Sequence, residues 1–363
     1  MFDEDIPELT KTEEARRQIE ICNACRYCEG YCSVFPAMFS ERMFSDGDVT
    51  QLANLCHNCR GCYYACQYTE PHEFAINLPR ALAEKRQESW KDLAWPSAFS
   101  SLFDRSGVIL SAGLVLAVAT LFFCVTHFRP ASGTGFHTYM SHALMVSIFA
   151  PAFLLPLIAI GVSLRRYGTE IGRVTVRWAD IWEASMAAGS MKNLKGGHGD
   201  GCNFEDEDRF SNKRRLYHQL TLYGFLLCFA STSSGTILHY LLDLKAPYNL
   251  ISLPKFFGVP GGLMLCFGTA ALAVLKCRAD TNLGAPSVWG GEMAFVLLLF
   301  GVSATGLGLY ASTGSVAVPA LLAIHLGFVL VFFLTMPYSK MAHGFYRMAA
   351  LVTDAAKKRT ARS

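Results

Sequence analysis

Charge is scarce in this chain. Only 17% of its 363 residues are Asp, Glu, Lys or Arg, and 32 basic against 29 acidic residues leave a net charge of +3. That balance gives no electrostatic basis for a nucleic-acid partner. A secretory leader is also not expected, since the sequence opens on the acidic run MFDEDIPEL and not on a basic segment followed by an apolar one. The thirteen cysteines are therefore expected to be reduced, because dense disulfide frameworks belong to short secreted chains. No CxxCH run offers covalent haem attachment, and no GxGxxG follows a strand pattern. A c-type cytochrome and a built-in flavin or nucleotide fold are thus not expected.

Apolar residues are what the chain has in quantity, at 52%, too many for an ordinary soluble enzyme. Six blocks come near the ~20 residues that a helix needs to cross a bilayer. They run from Gly107 to Thr126, Ala143 to Leu164, Leu216 to Leu242, Gly261 to Lys276, Glu292 to Ala311 and Val316 to Met336. The fourth is the shortest, and Val259 and Pro260 extend it. Lys and Arg crowd the connection 165–215 and the tail that ends Lys357, Lys358, Arg359, whereas the opposite connections carry only Arg129, Lys245 and Lys255. The positive-inside bias places the loop and the tail in the cytoplasm, and six spans bring the N-terminus there too. The expected fold is mainly α, with a cytoplasmic head over 1–100, a six-span membrane domain over 107–343 and a basic tail over 344–363.

Eight cysteines lie in the head, in two runs of one spacing: Cys22, Cys25, Cys28 and Cys32, then Cys56, Cys59, Cys62 and Cys66. Three thiolates spaced CxxCxxC wrap three corners of an iron–sulfur cube, and the fourth, three residues on, reaches a second cube. Crossing assigns Cys22, Cys25, Cys28 and Cys66 to one [4Fe-4S] cluster and Cys56, Cys59, Cys62 and Cys32 to the other. Zinc ribbons prefer paired CxxC units and would leave cysteines unused. Proline usually follows the fourth cysteine of such runs, but Ser33 and Gln67 stand here. The segment from Asp48 to Leu55 reads as a capped helix, so the head is a helical ferredoxin-like module. Cys124, Cys228, Cys266 and Cys277 fall in or beside spans, as small buried apolar residues. In the loop, a stretch from Trp178 to Met191 reads as helical, and His198 and Cys202 make an isolated pair that matches no metal pattern.

Ionisable groups inside a membrane need a partner or a function. His218 and His239 sit near opposite ends of the third span, within ~60° of one face at ~100° per residue. His325 and His343, eighteen residues apart on the sixth span and its extension, are five whole turns apart. Spans three and six run in opposite directions, so His218 is expected opposite His343 near the cytoplasm, and His239 opposite His325 near the outer face. Facing imidazoles are axial ligands for one or two b-type haems. His142 is the reserve partner of His325. His127 and His137 read as loop residues, and His57 and His72 as head surface. The small-residue run Ser231–Gly235 would admit a macrocycle or a neighbouring helix.

Cys56–Tyr68 (CHNCRGCYYACQY) followed by Pro71–Phe74 (PHEF), with six spans behind, resembles the tricarballylate/citrate-utilisation protein B family over nearly the whole chain. Arg214–His218 (RRLYH) and Pro337–His343 (PYSKMAH) are similar, locally, to the cytochrome b subunits of respiratory nitrate reductase and heterodisulfide reductase type. The first resemblance implies a bacterial inner-membrane protein that reoxidises the reduced flavin of a partner FAD-dependent dehydrogenase acting on tricarballylate. It implies electron passage through iron–sulfur centres to the quinone pool. The chain itself would hold no dehydrogenase site. A membrane-bound redox sensor is the alternative, for which the short tail offers no output domain.

Overall fold

The computed structural model describes residues 9–128, 138–196, 199, 201–204, 209–244, 248–249 and 251–362. Arg129, His137, His198 and Lys245 lie outside them. Among the described residues the chain is mainly helical, with no strand beyond a single bridge between Cys202 and Ser211.

Local signals start the head helices. Helix α1 (Lys11–Cys25) opens on a capping box in which Thr10 Oγ1 accepts from Glu13 N at 3.2 Å and the Glu13 carboxylate accepts from Thr10 N at 2.8 Å. Short α2 (Val34–Phe39) follows the first cysteine run. The expected capped helix is α3 (Asp46–Leu55), whose box is made by Ser45 and Asp48. One turn, α4 (Gly61–Tyr64), holds Cys62, and α5 (Leu78–Leu93) starts where Asn77 Oδ1 caps Arg80 N at 3.2 Å. Ile19, Met38, Val49, Leu55 and Leu82 are buried in the core that these helices share.

Six helices are long and apolar enough to cross a membrane. They belong to α6 (Ser100–Phe128), α7 (His142–Glu170), α9 (Lys213–Leu241), α10 (Leu253–Arg278), α11 (Trp289–Ala311) and α12 (Val318–Thr335). The fourth span is longer than its apolar block, beginning at Leu253 with Pro254 in the first turn and carrying Pro260 inside. Gly224 lets α9 touch α10, since a Cβ there would stand 2.5 Å from Leu265 N. The Ser231–Gly235 run is also filled by a helix, as Ser231 Oγ donates to the Pro254 carbonyl at 2.6 Å. Cys124 and Cys277 are exposed on their helices, not buried as expected, because they fall on outward faces.

Helix α8 (Trp178–Gly189) occupies the loop between spans two and three. The sixth helix does not continue to His343. Pro337 cannot donate the next helical hydrogen bond, turns replace the helix over 336–341, and a new helix, α13 (Ala342–Arg362), begins. This amphipathic helix packs Tyr346, Ala350 and Leu351 into the head core beside Tyr167 of α7. Gln51 joins all three parts: it accepts from Tyr167 Oη at 2.5 Å and donates to the Ala350 carbonyl at 2.9 Å. Arg359 closes the helix onto Asp180 of α8 at 3.0 Å. Head, loop helix and C-terminal helix therefore gather at one end of the bundle.

At Gly47 a Cβ would stand 2.4 Å from the Glu170 carbonyl oxygen, whereas at Gly168 it would meet nothing within 4 Å. Gly47→Ala is expected to cost about 1–3 kcal/mol by forcing head and span apart. A lower Tm of the detergent-solubilised protein, with Gly168→Ala as the unchanged control, is the measurement. Equal Tm values for the two would show that the contact does not hold the head.

Candidate metal centres

The two cysteine runs fold back on each other so that their members separate into two groups. Cys22, Cys25, Cys28 and Cys66, together with Cys62, line a cavity of ≈ 180 Å³ walled by Ile21, Phe35 and Ile76. Cys32, Cys56, Cys59 and Cys62 line a narrower one of ≈ 20 Å³. Each group takes its fourth thiol from the other run, as crossing predicts. Among the described residues no group of three or more His, Cys, Asp or Glu is drawn together closely enough for a single metal ion. Four thiols lining one shared space are a donor set that suits an iron–sulfur cube. Burial and the neighbouring thiols push Cys22, Cys28 and Cys59 up to about 12, so metal must displace protons there.

Backbone conformation shapes this region. Arg26, Asn58 and Arg60 have positive φ, which reverses the chain between successive cysteines. Ser33, where proline is usual, donates to Asn193 Oδ1 through its hydroxyl at 2.6 Å and its backbone N at 3.3 Å. A proline would lose these bonds, which tie the first run to the loop. Cys202 is buried with Cys59 in a small cluster, and Asn203 N donates to the Cys59 carbonyl at 3.0 Å. The loop thus braces the second run.

A cavity of ≈ 450 Å³ lies where the inner cysteine group meets the bundle. Among its walls are His57, His218 and His343, with Arg214, Lys340 and Arg347. The rings of His218 and His343 stand 5.9 Å apart, centroid to centroid, at 77°, so this expected pair is brought together. His343 Nδ1 is hydrogen-bonded to the Lys340 carbonyl, which leaves Nε2 for a metal. Burial, then the charge of Arg347, holds His343 well below the usual histidine range, in the neutral state that ligation requires. His218 Nδ1 is buried without a hydrogen-bond partner among the described residues. That orphaned nitrogen and the facing ring fit a non-covalent haem.

His57, expected on the head surface, instead lines this cavity with Nδ1 on the Leu55 carbonyl at 2.8 Å. Adjacency to Cys56 was the one sequence signal available for it. His72 does stay in a peripheral aromatic group with Tyr68 and Phe74. At the other end of the bundle His239 lies 4.6 Å from the reserve histidine, His142, whose Nε2 is 2.7 Å from Tyr240 Oη. His325 is placed elsewhere, with Nδ1 3.0 Å from Thr305 Oγ1 against Gly306. The outer pairing of the structure is therefore His142 with His239.

In the first turn of α11, Glu292 bonds Lys276 and Lys340 and accepts from Gln87 Nε2 at 3.2 Å. Burial pulls Lys340 down to about 7 despite this carboxylate.

A helical head with two interleaved cysteine groups, set on six apolar helices, defines a membrane-bound iron–sulfur protein. Comparison with known proteins narrows the class. The model of the family described as citrate utilization protein B matches residues 101–363, and that of its Fer4-like domain matches residues 15–92. The chain belongs to this family. It is 42% identical over 357 residues, 97% of this chain and 94% of the relative, to the citrate utilization protein B of Escherichia coli. No solved structure matches it.

Proposed function

We propose that this protein carries electrons from the reduced flavin of a partner FAD-dependent dehydrogenase, in the first instance one acting on tricarballylate, to a membrane quinone. Two [4Fe-4S] clusters and a b-type haem, when bound, would supply the single-electron chemistry. Cys22, Cys25, Cys28 and Cys66 would hold the outer cluster, and Cys32, Cys56, Cys59 and Cys62 the inner one. His218 and His343 would hold the haem. The observation that carries this reading is continuity: the inner cysteine group shares residues His57, Asn58 and Arg60 with the wall of the histidine cavity.

The rest of the chain has matching tasks. Exposed Cys25 and Tyr27 put the outer group at the surface, within reach of a soluble flavoprotein. Apolar walls and the docked α13 keep the inner group from water. Gathering of the head, loop helix and tail at one end of the bundle supports a cytoplasmic placement for all three at a bacterial inner membrane, as the loop and tail cations require.

Anaerobic mixing of the reduced flavoprotein with membranes containing this protein tests the proposal. Quinone reduction that depends on the chain is the expected result. Equal quinone reduction by membranes lacking it would overturn the reading.

A further inference from the structure

Four arginines converge on the inner cysteine group. Arg347 Nη2 donates to the Cys56 carbonyl at 2.7 Å, and Arg86 Nη1 donates to the same oxygen at 2.9 Å. Arg214 donates to the carbonyls of Asn58 at 2.6 Å and His57 at 3.0 Å. Arg60 belongs to the run itself, with Nε on Asn58 Oδ1 at 3.1 Å. They come from α5, α9, α13 and the turn before α4, so the chain assembles them from positions as distant as 60 and 347.

Their setting is costly. Arg60 and Arg86 are each 4% exposed, and Nε of Arg86 and of Arg347 is buried without a hydrogen-bond partner among the described residues. Among the described residues none of the four forms an ion pair with a carboxylate. Asp280 and Glu292 line the same cavity, but Glu292 already holds Lys276 and Lys340. These buried guanidinium groups rest, among the described residues, on neutral carbonyls, which supply no counter-charge. The outer group has no such shell among the described residues: Cys25 is exposed, and neighbouring Arg26 lies over the Phe39 ring.

We propose that Arg60, Arg86, Arg214 and Arg347 form a counter-charge shell that raises the reduction potential of the inner cluster above that of the outer one. This rests on the electron-carrier reading above. A cube held by four thiolates is an anion, and reduction adds one more negative charge. Burial alone disfavours that charge, so a deeply set inner cluster would otherwise be the harder to reduce. Fixed cations reverse the order and make the inward step downhill. In that step one electron leaves the outer cluster, which is oxidised, and enters the inner one, which is reduced; no bond or proton changes place.

Redox titration of the purified, anaerobic, full-length protein, followed by electron paramagnetic resonance, reads both clusters separately. With interior charges interacting at an effective dielectric of ~20, Arg347→Gln and Arg214→Gln should each shift the electron-sharing equilibrium at least about tenfold toward the outer cluster, or 59 mV for one electron. The outer potential stays put, and Arg347→Lys, which keeps the charge, stays within about threefold of the parent. Equal movement of both clusters, or movement of neither at full iron content, overturns the shell. Where a Gln variant loses iron, the Lys variant decides: a tenfold shift with the charge retained shows that hydrogen bonding sets the potential, and overturns the proposal too. Absence of both clusters from the parent protein would instead defeat the underlying reading.

Discussion

On the proposed reading, His343→Ala should remove the b-type haem band from the dithionite-reduced minus oxidised spectrum, while iron in clusters should stay at about eight atoms per chain. The expectation follows from His343 Nδ1 bonded to the Lys340 carbonyl and the ring of His218 facing it at 5.9 Å. The helix start that carries His343 is fixed, because α13 is anchored through Tyr346 and Leu351 in the head core. His218→Ala should give the same loss. His239→Ala separates one haem from two: it halves the band if the His142–His239 pair holds a second macrocycle and leaves it intact otherwise. Full haem in both His218→Ala and His343→Ala would show that the inner site is misassigned.

Loss of iron in pairs of cysteine variants gives the second large effect. Cys22→Ser combined with Cys66→Ser should retain about four irons, since both thiols serve the outer cluster under the crossing rule. Cys22→Ser combined with Cys32→Ser should retain almost none, because one thiol is removed from each cluster. Reversal of these two results would mean that each contiguous run holds its own cluster. The structure favours crossing because Cys66 lies with Cys22 and Cys28 about one cavity, and Cys32 with Cys56 and Cys59 about the other.

Much of this is legible in the sequence because it depends on local spacing. The cysteine runs, the six apolar blocks and the start of α3 need only neighbours within a few residues. The pairing of His218 with His343 was also readable, although for a partly mistaken reason. Eighteen residues on one continuous helix would have aligned His325 with His343, but the turn at Pro337 breaks that helix. Helical periodicity gives the face on which a residue lies and not the helix that packs there. For that reason His239 was expected beside His325 and is found beside His142. The tail read only as a basic segment, because its apolar stripe, Tyr346, Ala350 and Leu351, has meaning only against the head. His57 and the arginine shell were hidden for the same cause: Arg347 and Cys56 are brought together by folding alone.

Stopped-flow mixing of the reduced flavoprotein with the haem-loaded protein tests electron passage through the head most directly. Haem reduction should be seen with the parent chain and be lost in the Cys22→Ser, Cys66→Ser double variant, whose spectrum still shows full haem. Haem reduced at the parental rate in that variant would contradict a route through the clusters.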